Sequence, residues 1–422
     1  MKKYIKYMML VFTLLSLSGR EVKAQETAYR TKVFRDDLKS LQIKVDDDRM
    51  ANPYIELNGD KQITIHFDAL NHVSERFTYS IIHCNADWKP SVLLPIEYMK
   101  GFQQTTIQER SFSFNTTTSY THFQFSLPDN DVQLTVSGNY AVQIYSENNP
   151  NDVVATACFS VVEPCVEIET FINGNTDIDF NMEHQQIDFN IIPKNIQIAF
   201  PHNDLKPVVY QNNNRSDTRT DFQPYAITGK QIQYRHIKNL IFKAGNEYRR
   251  FEVLTHRTNG MGVERTGYYD PYYHVTLYKD MLRTNKSYLY DQDQNGRFFI
   301  HCSDCRQPNT EADYYIVHFA LASEPFLNGQ VYLSGDFTHH LIDDTYRLEY
   351  NRETGCYEQS VLLKLGLYNY QYVFVDNNDA QPSLSRTEGN YYETENEYTI
   401  AVYYHPAGAR YDRLIGVKTA NR

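Results

Sequence analysis

The sequence predicts an all-β protein built as β-sandwiches in series, and three observations carry that prediction. Aromatic residues are abundant, with 35 Tyr and 23 Phe beside a single Trp, and Tyr and Phe favour pleated, half-buried surfaces. Short segments alternate apolar and polar residues with a period of two. No long stretch shows helical periodicity, and turn residues punctuate the chain at sandwich-like density.

The amino terminus reads as an export signal. Lys2, Lys3 and Lys6 give a basic start, and an apolar run follows from Met8 to Leu17. Val22 and Ala24 then form a small-residue cleavage site before Gln25, so residues 1–24 are expected to be removed. The run is shorter than the roughly 20 residues of a spanning helix, and no membrane insertion is expected. Without this segment the 422-residue chain keeps 36 basic and 51 acidic residues, a net charge of -15. That charge repels phosphate backbones and anionic lipid, which argues against nucleic-acid partners.

The first expected unit covers residues 25–163. Segment 61–67 sends Ile63, Ile65 and Phe67 to one face and Thr64 and His66 to the other. Phe77–Cys84 and 141–145 repeat the pattern, 153–162 reads as a closing strand, and Glu163-Pro164 ends it. A second β-rich unit is expected over 164–308, with a linker around Pro308. The third, over 309–422, contains the alternating segments 331–334, 370–375 and 398–404. Turns at Asn58-Gly59, Ser137-Gly138, Asn173-Gly174 and Asn328-Gly329 separate the strands.

Catalytic fingerprints are missing: the chain has no GxSxG elbow, P-loop, HExxH or GxGxxG motif. No enzyme activity, catalytic residue, cofactor, metal or small-molecule substrate is therefore expected, although a glycosidase carboxylate pair leaves no local signature. Asp291, Asp293 and Asn295 before Gly296 suggest a calcium loop, but Cys302 stands where a bidentate Glu is needed, so a turn feeding a strand is the better reading. His339 and His340, next to Asp343 and Asp344, read as an exposed loop. The run Tyr268-Tyr269-Asp270-Pro271-Tyr272-Tyr273 could stack on sugars, yet cross-strand pairing is the commoner use. Trp88 reads as a core anchor. Cys302 and Cys305 lack a second ligand pair and read as a local disulfide or structural thiols.

Two resemblances add to this reading. Val331-Tyr332-Leu333-Ser334-Gly335-Asp336-Phe337, with Gly366 through Asp376, resembles the glycogen-binding, early-set type of immunoglobulin-like domain. That implies immunoglobulin-like sandwiches. The sugar-stacking Trp of that family is replaced here at about His340.

The second resemblance spans nearly the whole mature chain. His83-Cys84-Asn85-Ala86-Asp87-Trp88, Ser137-Gly138-Asn139-Tyr140, Gln211-Asn212-Asn213 and Gly245-Asn246-Glu247-Tyr248-Arg249 occur in order. Ala312-Asp313-Tyr314, the acidic block from Glu388 to Tyr398 and Ala409-Arg410-Tyr411-Asp412-Arg413-Leu414-Ile415-Gly416 follow. Together they resemble the type IX secretion system plug family. The resemblance implies a non-enzymatic periplasmic protein at the inner face of the outer membrane, closing the periplasmic mouth of the large translocon barrel. The alternative function is that of an exported carbohydrate-binding protein. Arg410, Asp412 and Arg413, clustered near the chain end, are the candidate contacts to the barrel.

Overall fold

The computed structural model describes residues 28–46, 48–72, 75–147 and 149–422. The expected signal peptide and its cleavage site lie outside these residues. The fold is all-β, as the alternation requires, and its helices are single turns such as Pro95–Tyr98 and Pro308–Glu311.

Two sheets face each other in the first unit. One joins Lys32–Val33, Asn149–Val162, Gly138–Ser146, Phe77–Cys84 and Gln104–Thr106, with Tyr54–Glu56 added in parallel to Asn149–Val162. The other runs Leu38–Val45, Ile63–Leu70, Tyr120–Leu127 and Glu109–Phe112. The inward residues of segment 61–67 do what their alternation predicts. Ile63, Ile65 and Phe67 are buried, and the Phe67 ring packs on Phe77 and Phe123 at centroid distances of 5.3 and 5.2 Å.

Strand pairing runs across the expected boundary at 308/309. The strands Arg249–Val253 and Phe298–Ile300 pair with Gly366–Asp376, and Tyr272–Leu277 pairs with Tyr314–Ala322. In the opposite sense, Glu397–Tyr404 and Arg413–Asn421 leave the third unit and complete a sheet with Leu205–Gln211 and Asn214–Arg219.

Burial explains this exchange. All eight residues of Glu397–Tyr404 are buried, so the strand needs cover on both faces, as a near-continuous apolar run does. Tyr398, Ile400 and Val402 pack into the core formed with Ile187, Phe189 and Val209. Ala401 and Tyr403 face the other way, against Val162, Val208 and Tyr210. One terminal strand thus shares its two faces between two units.

Candidate docking segment and the unit junctions

The segment carrying Arg410, Asp412 and Arg413 lies against the first unit, and all three side chains have partners within the chain. Asp412 is 3% exposed. Its carboxylate accepts the Ala86 N–H at 3.0 Å, the Lys206 ammonium at 2.8 Å and His405 Nδ1 at 2.7 Å. Its own N–H donates to Asn85 Oδ1 at 3.1 Å. Arg413 grips Glu163 with a two-point fork, Nη2 lying 2.8 Å from each carboxylate oxygen. Arg410 pairs with Glu97 and donates to the Val92 carbonyl at 3.1 Å.

The turn that receives this segment is locally determined. Strand Phe77–Cys84 ends in a tight loop in which the Trp88 N–H bonds the Asn85 carbonyl at 2.9 Å, with Trp88 at φ 63°. Trp88 packs on the small core of Cys84, Ala141 and Cys158, and the Arg215 guanidinium lies over its ring at 3.8 Å, so this residue both anchors that core and seals a junction between units. Gly138 has φ +141°, and a Cβ there would lie 2.4 Å from His83 Nε2, so only glycine fits. Next to it Asn139, wholly buried, donates to the Asn85 carbonyl at 2.8 Å and accepts from Ser160 and Tyr403, each at 2.8 Å.

Arg410 also braces an apolar loop. Val92, Leu94 and Ile96 are 68%, 60% and 78% exposed, while Leu93 between them turns inward onto the core. The Leu94 N–H donates to Glu97 Oε2 at 2.7 Å, and Ser91 is held by His83 at 2.8 Å. Aliphatic side chains are therefore displayed on a cross-braced frame.

The first and third units meet around Asp68, which is 1% exposed. It accepts Tyr314 O–H and His122 Nδ1 at 2.6 Å each, and the Lys364 ammonium at 2.7 Å. Burial alone would raise this carboxyl; Lys364 and His122 overcome that effect and hold it below the usual range. Nearby, Asp313 accepts the Thr117 and Thr118 N–H groups at 2.7 and 3.0 Å. A further knot spans the expected boundary at 308/309. Glu388, fully buried, takes Arg249 and Arg283 at 3.0 and 2.6 Å, and Asn246 donates to the Glu388 carbonyl at 2.8 Å. Asn212 and Asn396 bond at 2.8 Å in the same region.

The motifs picked out in the sequence therefore converge on junctions, a placement that residue types alone did not reveal. Residues 38–163 match a family model described as the type 9 secretion system plug protein 1st domain. The chain belongs to the type IX secretion plug family. A crystal structure of a hypothetical protein from Parabacteroides merdae ATCC 43184 is 52% identical, with a TM-score of 0.92, and the match covers 94% of this chain and 100% of that one. No curated protein matches. Membership ties this plug-family chain to type IX secretion and to association with its machinery, in an exported or periplasmic setting, and the family is not an enzyme family.

Other sequence expectations resolve locally in the plug-family fold. The loop holding His339 and His340 is not open to solvent at His340, which is 6% exposed and bonded to Asp336 at 2.9 Å, so no flat aromatic platform is displayed there. Tyr268 and Tyr273 pair across a hairpin with rings 5.0 Å apart, and Tyr273 stacks on Tyr315 at 5.0 Å. Asn295 and Gly296, at φ 52° and 90°, form the turn into Phe298–Ile300. Cys302 and Cys305 form a disulfide, whereas Cys84, Cys158, Cys165 and Cys356 are free and buried. No helix among the described residues is long and apolar enough to cross a membrane.

Proposed function

We propose that this protein is a non-enzymatic plug that sterically closes the periplasmic opening of the outer-membrane translocon of type IX secretion. The observation that carries the proposal is the set of buried polar knots between units: Ala86 with Asp412, Asp68 with Lys364, and Arg297 with Glu397. A pore-blocking body must keep its shape under load, and knots of this kind favour one relative placement of three units over hinged alternatives. The units are residues 28–163; 164–243 completed by 397–421; and 249–396.

The docking face includes the loop braced by Arg410. Exposed Val92, Leu94 and Ile96 supply an apolar centre, and the ionic groups of Arg410, Asp412 and Arg413 form its support. The braces spare the ordering cost that a flexible loop would pay on binding.

The test is a pull-down of the tagged protein from detergent-solubilised outer membranes, read by mass spectrometry. Recovery of the giant barrel subunit is expected. Recovery of no membrane partner, with retention on glucan or peptidoglycan gels instead, overturns the plug reading in favour of sugar binding.

A further inference from the structure

A cleft of about 1120 Å³ opens where the three units meet. One wall is the outer face of the sheet containing Leu38–Val45 and Ile63–Leu70. There Gln42, His66 and Gln124 stand side by side in one row of the ladder. The opposite side includes Arg215 and Ser216 from Asn214–Arg219, and Arg30 and Arg49 also line the space.

The electrostatics of this cleft are unbalanced. Four carboxylates line it, and each is engaged: Asp46 by the Gln62 N–H at 2.9 Å, Asp48 by the Met50 N–H at 2.9 Å, Glu109 by Gln124 at 2.7 Å, and Asp336 by His340 at 2.9 Å. Arg297 is committed to Glu397 at 2.8 Å. Among the described residues, Arg215 has no ion-pair partner. Its electrostatic neighbours are the phenols of Tyr210, Tyr54 and Tyr403 and the thiol of Cys158, the last pushed up to about 11 by burial. These groups are neutral at pH 7. Arg30 and Arg49 likewise have no ion pair among the described residues. A half-buried guanidinium, held 3.8 Å over an indole ring and lining an open cleft without a counter-ion among the described residues, is arranged to receive a carboxylate.

We propose that the cleft binds an extended acidic peptide segment, with one carboxylate seated on Arg215 and its backbone lying over the row of Gln42, His66 and Gln124. The remaining lining selects for this chemistry. Glutamine amides both donate and accept, which suits peptide N–H and C=O groups. A polyphosphate or similar polyanion offers acceptors only and leaves the glutamine carbonyl oxygens without donors. The site goes beyond pore closure and involves a face separate from the Val92–Leu94–Ile96 loop.

Trp88 is the only tryptophan in the chain and lies under Arg215, so its emission reports the site directly. The experiment titrates the purified protein with a short Ser/Glu peptide and with the same peptide carrying Gln for Glu. A saturable emission change is expected with the Glu peptide, with affinity about tenfold weaker for the Gln peptide. Arg215→Gln abolishes the response and Arg215→Lys retains part of it. If circular dichroism shows Arg215→Gln unfolded, the doubly substituted Arg30→Gln, Arg49→Gln protein takes its place and should bind severalfold more weakly. Three outcomes overturn the assignment: no saturable change at millimolar peptide, equal affinity for the two peptides, or inorganic phosphate alone binding as tightly as the Glu peptide. No translocon component enters this assay, so its failure leaves the plug reading standing.

Discussion

Asp68 and Lys364 form an ion pair of 2.7 Å between the first and third units, with side chains 1% and 2% exposed. Lys364 also donates to the Asn309 carbonyl at 2.7 Å and sits 4.1 Å above the Tyr120 ring, so its charge is spread over several partners. Burial lowers the basicity of this ammonium, and Asp68 offsets only part of that loss. Removing one partner strands the other without water. Asp68→Ala should therefore cost about 3–5 kcal/mol in urea unfolding, whereas the double variant Asp68→Asn with Lys364→Met should cost less than the sum of its parts. Additive losses would show that the pair does not act as a unit.

The imidazoles buried beside these junctions predict acid sensitivity. Burial pushes His66 down to about 3, and it pushes His83 and His339 each down to about 4. A histidine that is neutral when folded but protonated when unfolded contributes stability that is complete above the unfolded value near 6.5. That contribution is lost as pH falls from about 6.5 toward the folded values. Each such histidine adds a slope of about 1.4 kcal/mol per pH unit in that window. Urea midpoints should fall between pH 7 and pH 5, and His66→Gln should flatten the slope. A midpoint independent of pH over this range would contradict the burial assignment.

The outward row of segment 61–67 shows how far the sequence could be read. Its alternation correctly sends Ile63, Ile65 and Phe67 inward, and the closing strand ends before Pro164 as the turn chemistry requires. The same alternation, carried one step on, suggests that Asp68 faces water. It does not, because a unit assembled from residues more than 200 positions away covers it, as the Asp68–Tyr314 bond shows. Segment 398–404 looks like a half-buried strand for the same reason. Period-two patterning reports which residues share a face but not what lies over that face. The cluster of Arg410, Asp412 and Arg413 likewise displays charge without burial, so the sequence alone does not distinguish a contact surface from an internal clasp.

Asp293 carries the opposite pH signature. Burial raises its carboxyl to about 7, against the Asn295 and Tyr248 N–H groups that favour the anion. A carboxyl whose folded value is raised stabilises the fold only while protonated. It lowers stability progressively as pH rises from about 4 to about 7, by about 1.4 kcal/mol per unit. Asp293→Asn keeps an acceptor for the neighbouring N–H groups and removes the ionisation. The variant should therefore equal or exceed the parent in stability at pH 8, with the difference vanishing near pH 4. A loss of stability at pH 8 would indicate that the anion is required.

The clasp around Asp412 can be separated from docking by comparing two kinds of substitution. Asp412→Ala leaves Lys206 and His405 without their shared acceptor and frees the Ala86 N–H. It should cost about 1–3 kcal/mol and accelerate amide exchange in residues 85–97. Arg410→Glu with Arg413→Glu instead sets like charges against Glu97 and Glu163 at the surface, where global stability changes little. Its expected effect is local: the loop carrying Val92, Leu94 and Ile96 loses its brace, and co-purification with the translocon barrel weakens. Leu94→Asp should weaken co-purification as much while leaving amide exchange unchanged, because it alters the apolar centre and leaves the braces intact. Full co-purification of both folded variants would remove this face from the docking surface and redirect the search to the remaining exposed loops.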